Sequence, residues 1–265
     1  MLAIANNERA ARIQSYARGV CDAYQNVFTA PSRRFPDGSL LLSRFERAIQ
    51  TTLSNANQAF TAVDEIHNEV CVAGALLADP VVVRLRYEPE LLRTLKSIDL
   101  VADRQDGTLL FVDVKTIHPV PTDRWDQYER AMEEGWLGNV NYDLQKHAGG
   151  GELWHDAFAS RSRMLEYTLE LEQKIAEANL APSTSQFVLA LCGTGFEWGE
   201  DELEDFASFY RTGKHRSDDT FGATERKYLE EKALTLSRTI TGFACLHRSR
   251  GATAPTLLSL FKTAG

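Results

Sequence analysis

The sequence predicts a mixed α/β fold. Three observations carry that expectation. Stretches with apolar residues at helical spacing alternate with short runs rich in β-branched residues. The order of these segments is helix, three strands, helix, strand. Two of the runs, SIDLVA and TLLFVDVKTI, flank the turn sequence DRQDG, which predicts a hairpin. The chain has 265 residues, 43% of them hydrophobic and 25% charged, enough for one large elaborated domain with a sizeable core.

Residues 5–30 and 39–78 read as helix, parted by Pro31 and the Pro36-Asp37-Gly38 turn. Leu40, Leu41, Phe45 and Ile49 recur at helical spacing, and the second segment has a breaking point near Ser54-Asn55. Its last part, 56–78, carries Phe60, Val63, Ile66, Val70 and Leu77 on one face until Asp79-Pro80 ends it. VVVRLRY, 81–87, is a strand by its β-branched content, and Pro89-Glu90 opens a short helical turn. Strands over 97–102 and 108–117 form the hairpin. Residues 118–159 read as irregular, with Gly149-Gly150-Gly151 and the aromatics Trp125, Tyr128, Trp136, Tyr142 and Trp154. A helix over 160–179 ends before Pro182, and SQFVLALC, 185–192, is a fourth strand. A helix around Phe206 to Tyr210, a polar loop over 213–220, a helix over 224–237 and the strands ITGFACLHR and TLLSLFK complete the chain. No internal repeat or low-complexity linker divides it.

Composition narrows the function classes. No apolar run reaches the ~18 residues of a membrane span, and the N-terminus lacks the pattern of a secretory signal, so a cytoplasmic protein without membrane association is expected. Cys21, Cys71, Cys192 and Cys245 are far apart and form no CxxC or zinc-spaced cluster, which points to thiols in a reducing compartment. The net charge of −8 argues against a wholly basic nucleic-acid binder, but its distribution is uneven. Six acids fall between Glu197 and Asp205; without them the balance is 29 cations to 31 anions. No acid follows Lys232, a stretch that carries Arg238, Arg248, Arg250 and Lys262. Arginine, whose planar fork suits phosphate, outnumbers lysine 21 to 8.

The chemistry concentrates between Asp99 and Lys115. Side chains two apart on a strand share a face, so Asp113 and Lys115 point the same way. The hairpin brings Asp99 beside Asp113, and two acids and a lysine then meet within apolar strands. Such groups are costly to bury unless paired or bound to a cation. A divalent ion resolves the repulsion of two carboxylates, and hard oxygen ligands suit magnesium or manganese. The competing reading of a D-x-K triplet alone is an Asp-Lys salt bridge at a hairpin edge.

With Asp99 in SIDLVA, then Asp113 and Lys115 in FVDVKT, the chain resembles the PD-(D/E)XK nuclease superfamily. The resemblance covers about 56–192 and implies a restriction-endonuclease-like core, with an N-terminal helical extension over 1–55 and C-terminal α/β elaborations over 193–265. It departs from the motif in having Ile98 in place of proline and Asp113 where glutamate is commoner. The implied activity is Mg²⁺-dependent phosphodiester hydrolysis, with Mn²⁺ as an alternative ion, on DNA rather than RNA and by an endonuclease. Asp99, Asp113 and the Val114 carbonyl would hold metal. Glu69 would complete the set from the first core helix, with Glu65, one turn earlier, as the alternative. Lys115 would orient or activate water, or stabilise developing charge. A homodimer would let such an enzyme cut both strands, although the sequence carries no interface signature.

Other residues receive blander readings. His118 faces away from Lys115 by alternation and reads as structural. His67 reads as a helix-surface residue. The family often has a polar or basic residue on the second core helix near the phosphate. Arg163 and Lys174 qualify, but a solvated face with a Glu170-Lys174 pair is the simpler expectation. The aromatics of 118–159 suit a satellite core or a base-stacking lid. The glycines of CGTGFEWG lack phosphate-loop spacing. Two rival functions stay open: a nucleic-acid-binding or assembly module with little catalysis, and a different carboxylate-metal phosphoesterase.

Overall fold

The computed structural model describes residues 2–54, 61–88, 98–117, 160–178, 184–194, 200–214, 229–248 and 258–262. Four helices come first: α1 (Leu2–Ala23), the single turn α2 (Gln25–Phe28), α3 (Gly38–Ser54) and α4 (Thr61–Ala78). Strands β1 (Val82–Tyr87), β2 (Leu100–Arg104) and β3 (Leu109–Ile117) follow, then α5 (Ser160–Ala178), β4 (Ser185–Thr194) and α6 (Glu200–Thr212). Strands β5 (Gly242–Arg248) and β6 (Leu258–Lys262) close the order. The mixed α/β expectation is met, and among the described residues the elements from α4 to β4 run helix, three strands, helix and strand.

All six strands join one sheet in the order β1-β2-β3-β4-β5-β6. The first three form an antiparallel meander. β4 lies parallel to β3, and β5 parallel to β4; β6 returns antiparallel. Parallel neighbours require a crossover, usually helical, and α5 and α6 lie in the two connections.

The period-two alternation of β3 divides the core. Val112 and Val114 enter the cluster beneath α1–α4, with Val70, Ala73, Leu85 and Leu100. Phe111, Leu189, Phe243 and Leu165 belong to the cluster under α5 and α6 on the other face. There Phe111 stacks on Phe187 with ring centroids 5.2 Å apart. Helices therefore cover both faces of the open sheet, and the charged residues at odd positions of β3 face α5. On the opposite face α4 is fastened to β3 by a buried bond from Asn68 Nδ2 to Thr116 Oγ1, 2.8 Å. α4 also packs closely on the N-terminal helices. A Cβ at Gly74 would stand 3.1 Å from the Tyr24 ring.

Four boundaries differ from expectation. The first helical segment ends at Ala23, and α2 is a separate turn. β2 begins at Leu100 rather than at 97, so Asp99 stands just ahead of the strand. β2 also runs on to Arg104, because Asp103 and Arg104 pair with Arg84 and Val82. The turn shrinks accordingly, with Gly107 at φ 81° and Asp106 Oδ1 accepting the Thr108 N–H at 2.9 Å. Near the C-terminus, helical geometry is described only over 229–233, not to 237. The expected break at Asn55, the Pro89 turn and the whole of 118–159, His118 included, lie outside the described residues, as do the side chains of Arg161 and Arg163.

No helix among the described residues is long and apolar enough to cross a membrane. The four cysteines carry thiols, three of them buried.

Candidate functional site

The site is organised around Asp113. It sits mid-strand on β3, paired with Leu189 of the parallel partner β4 and one residue beyond the end of the β2 register, and none of its surface reaches solvent. An apolar sheet interior holds such a carboxylate only with compensating positive charge. Two ammonium groups supply it. Lys174, from α5, places Nζ 2.7 Å from Asp113 Oδ1, and Lys174 is itself buried. Lys115, two residues along the same strand, brings Nζ to 3.4 Å from Oδ2. That second contact is an ion pair without hydrogen-bond geometry, so Oδ2 has no hydrogen-bond donor among the described residues.

Asp99 is anchored from the neighbouring strand. Its Oδ2 accepts the Val114 N–H at 2.7 Å, which fixes the carboxylate against β3 immediately after Asp113. Burial, then the charges of Asp113 and Glu69, push its pKa up to about 8, while the Val114 bond and Lys115 pull the other way. Glu69 enters from α4. Burial raises its pKa to about 7, opposed by a hydrogen bond from Tyr87 and by Arg44. The Tyr87 hydroxyl donates to Glu69 Oε2 and accepts from Arg44 Nη1 at 2.7 Å. Arg44 also pairs with Glu88, a residue held at φ 43° at the end of β1. Asp99 thus feels the charge of both Asp113, on β3, and Glu69, on α4. Among the described residues, however, no three His, Cys, Asp or Glu side chains stand together as a ready metal cage.

Lys115 is the more exposed of the two lysines, and its ammonium lies 5.8 Å from the Tyr167 ring centroid of α5. Burial alone would lower its pKa. The carboxylates of Asp113, Asp99 and Glu170 outweigh burial and raise it, so Lys115 is a cation at neutral pH. It is therefore a hydrogen-bond donor and a positive charge at neutral pH.

Asp113 and Lys115 stand as an ion pair, Asp99 feels the charge of both and of Glu69, and the side-chain partners of Glu69 are Tyr87 and Arg44. Glu65, the alternative to Glu69, is exposed. Val114, expected to lend its carbonyl, is seen to lend its N–H to Asp99. Two expectations are corrected. Lys174 does not belong to a solvated face; it is buried against Asp113, whereas Glu170 is exposed. His67 is not on a helix surface; it is fully buried, with Nδ1 on the Tyr16 hydroxyl and the Tyr24 ring 5.7 Å away. The Tyr87–Arg44 pair bracing Glu69 was not singled out from the sequence, and nothing local marks it. For Lys174 a faint signal exists, since it lies three residues after Leu171 and next to Ile175, both buried on the inner stripe of α5.

Compared with models of protein families, with curated proteins and with solved structures, the chain matches none.

Proposed function

We propose that this protein is a divalent-cation-dependent phosphodiesterase, a nuclease acting on DNA, and that α4 through β4 form a restriction-endonuclease-like core. The observation that carries the reading is the juxtaposition at β3. Asp113 and Lys115 share a strand face with Nζ and Oδ2 3.4 Å apart, and burial, then the charges of Asp113 and Glu69, raise the proton affinity of Asp99. Neighbouring carboxylates that raise one another's proton affinity mark a candidate functional site, because a bound cation would relieve their repulsion.

The donor set fits a hard cation. Asp113 Oδ2 is a buried acceptor without a hydrogen-bond donor, and Asp99 and Glu69 are carboxylates whose repulsion a cation would relieve. Asp99, Asp113 and Glu69 would hold magnesium or manganese, with the Val114 carbonyl as a backbone donor. Such an ion lowers the pKa of bound water and neutralises charge on a phosphoryl oxygen. The protein's own part is positional. The Val114 N–H fixes Asp99, Tyr87 and Arg44 fix Glu69, and Lys115 presents a permanent positive charge at the rim, where it orients water and offsets charge developing on phosphate.

The test is purified protein with plasmid, linear duplex, single-stranded DNA and RNA, each with Mg²⁺, Mn²⁺ or EDTA. Metal-dependent cleavage is expected, with Lys115→Ala slowed by about 10²–10³-fold, the cost of losing one charge-stabilising donor. Wild-type-like cutting by that variant refutes the assignment. A second reading, a nucleic-acid-binding or assembly module with little catalysis, is favoured by one observation: Lys174 already compensates Asp113 without a metal. Binding without cleavage under every metal condition selects it.

A further inference from the structure

We propose that Lys174 is a positioning residue that selects which oxygen of Asp113 faces a cation. This deepens the metal-site reading above and rests on it. Asp113 has two chemically equivalent oxygens, and the fold makes them different. Oδ1 is taken by the Lys174 ammonium at 2.7 Å, between two buried side chains. Oδ2 has no hydrogen-bond donor among the described residues, and the nearer cation there, Lys115 at 3.4 Å, is on a partly exposed side chain free of that constraint of depth. A carboxylate held on one oxygen cannot rotate about its Cβ–Cγ bond without breaking a buried charge-assisted bond. Lys174 therefore leaves Oδ2 as the single ligating atom and prevents chelation by both oxygens.

The placement of Lys174 supports a positional rather than a substrate-touching role. It rises from the inner stripe of α5, beside Leu171 and Ile175, and is more enclosed than Lys115. Arg or Lys at a rim would meet phosphate; a lysine behind a ligand carboxylate acts through that carboxylate.

Three measurements on the full-length chain decide the matter. The first is a Mn²⁺-soaked crystal of the wild type. Manganese on Asp113 Oδ2, with Lys174 still bonded to Oδ1, is expected; both oxygens on the ion, or Lys174 displaced, overturns the proposal. The second is calorimetric titration of Mn²⁺ into Lys174→Met. Its affinity should fall by about 10- to 100-fold, the usual cost of removing a group that orients a metal ligand. The third is the same titration of Lys174→Arg, which keeps a charged donor and should recover most of the lost affinity. A folded Lys174→Met with unchanged affinity, or two variants weakened alike, sinks the positioning role while leaving the metal site standing. Wild-type protein that takes no Mn²⁺ sinks the metal site, and the proposal with it. Should Lys174→Met not fold, the soaked crystal and Lys174→Arg still decide.

Discussion

The metal-free protein should lose stability as pH rises, and Asp99 sets the size of the loss. In the folded state burial and the charges of Asp113 and Glu69 raise its pKa from 3.8 to about 8. The native state then binds more protons than the unfolded chain throughout that interval, so stability falls with increasing pH. The contribution is complete below about pH 4 and gone once pH has passed about 8. From pH 5 to pH 8 about three pH units lie on the steep part of the curve. At about 1.4 kcal/mol per unit this integrates to about 4 kcal/mol. Glu69, raised from 4.5 to about 7 chiefly by burial, adds in the same direction. Urea unfolding in EDTA at half-unit steps from pH 5 to 8.5 measures the slope directly. Asp99→Asn keeps an acceptor for the Val114 N–H but cannot ionise. Its profile should be flatter, and at pH 8 it should be the more stable protein. Added Mg²⁺ should restore the wild type at pH 8 and do little for the variant. A wild-type profile that is level over this range, or an Asp99→Asn profile of equal slope, refutes the electrostatic account of the site.

Two further outcomes test the surroundings. Asp113→Asn should abolish Mn²⁺ binding and also lower stability by about 3–5 kcal/mol, because it leaves the buried Lys174 ammonium without its carboxylate partner; thermal unfolding and calorimetry on one sample check both. Gly74→Ala should cost about 1–3 kcal/mol, since the new methyl meets the Tyr24 ring at 3.1 Å where α4 packs on the α1–α2 junction, and urea midpoints measure it.

Much of the architecture was legible because it is local. Alternation in TLLFVDVKTI determines that Phe111, Asp113 and Lys115 share a face, and the DRQDG turn determines that β2 folds back beside them. Those two facts bring Asp99 to the backbone of Val114, fifteen positions on. β2 extends past its expected end because Asp103 and Arg104, turn-forming by type, find partners on β1. Local chemistry proposes the turn, and cross-strand pairing decides its length.

What only the tertiary structure decided is which charged and polar side chains are buried. A lysine four residues from a glutamate reads as a solvent pair, and its spacing to Leu171 and Ile175 is only a faint signal against that. Lys174 is buried because Asp113, 61 positions away, stands opposite it on β3. His67 is enclosed because Tyr16, 51 positions earlier, meets it from α1. Glu69 is braced by a tyrosine on β1 and an arginine on α3. The physical reason is the same in each case. The cost of removing a charged or polar group from water depends on the partner it finds, and that partner is specified by the packing of distant elements, not by any spacing along the chain.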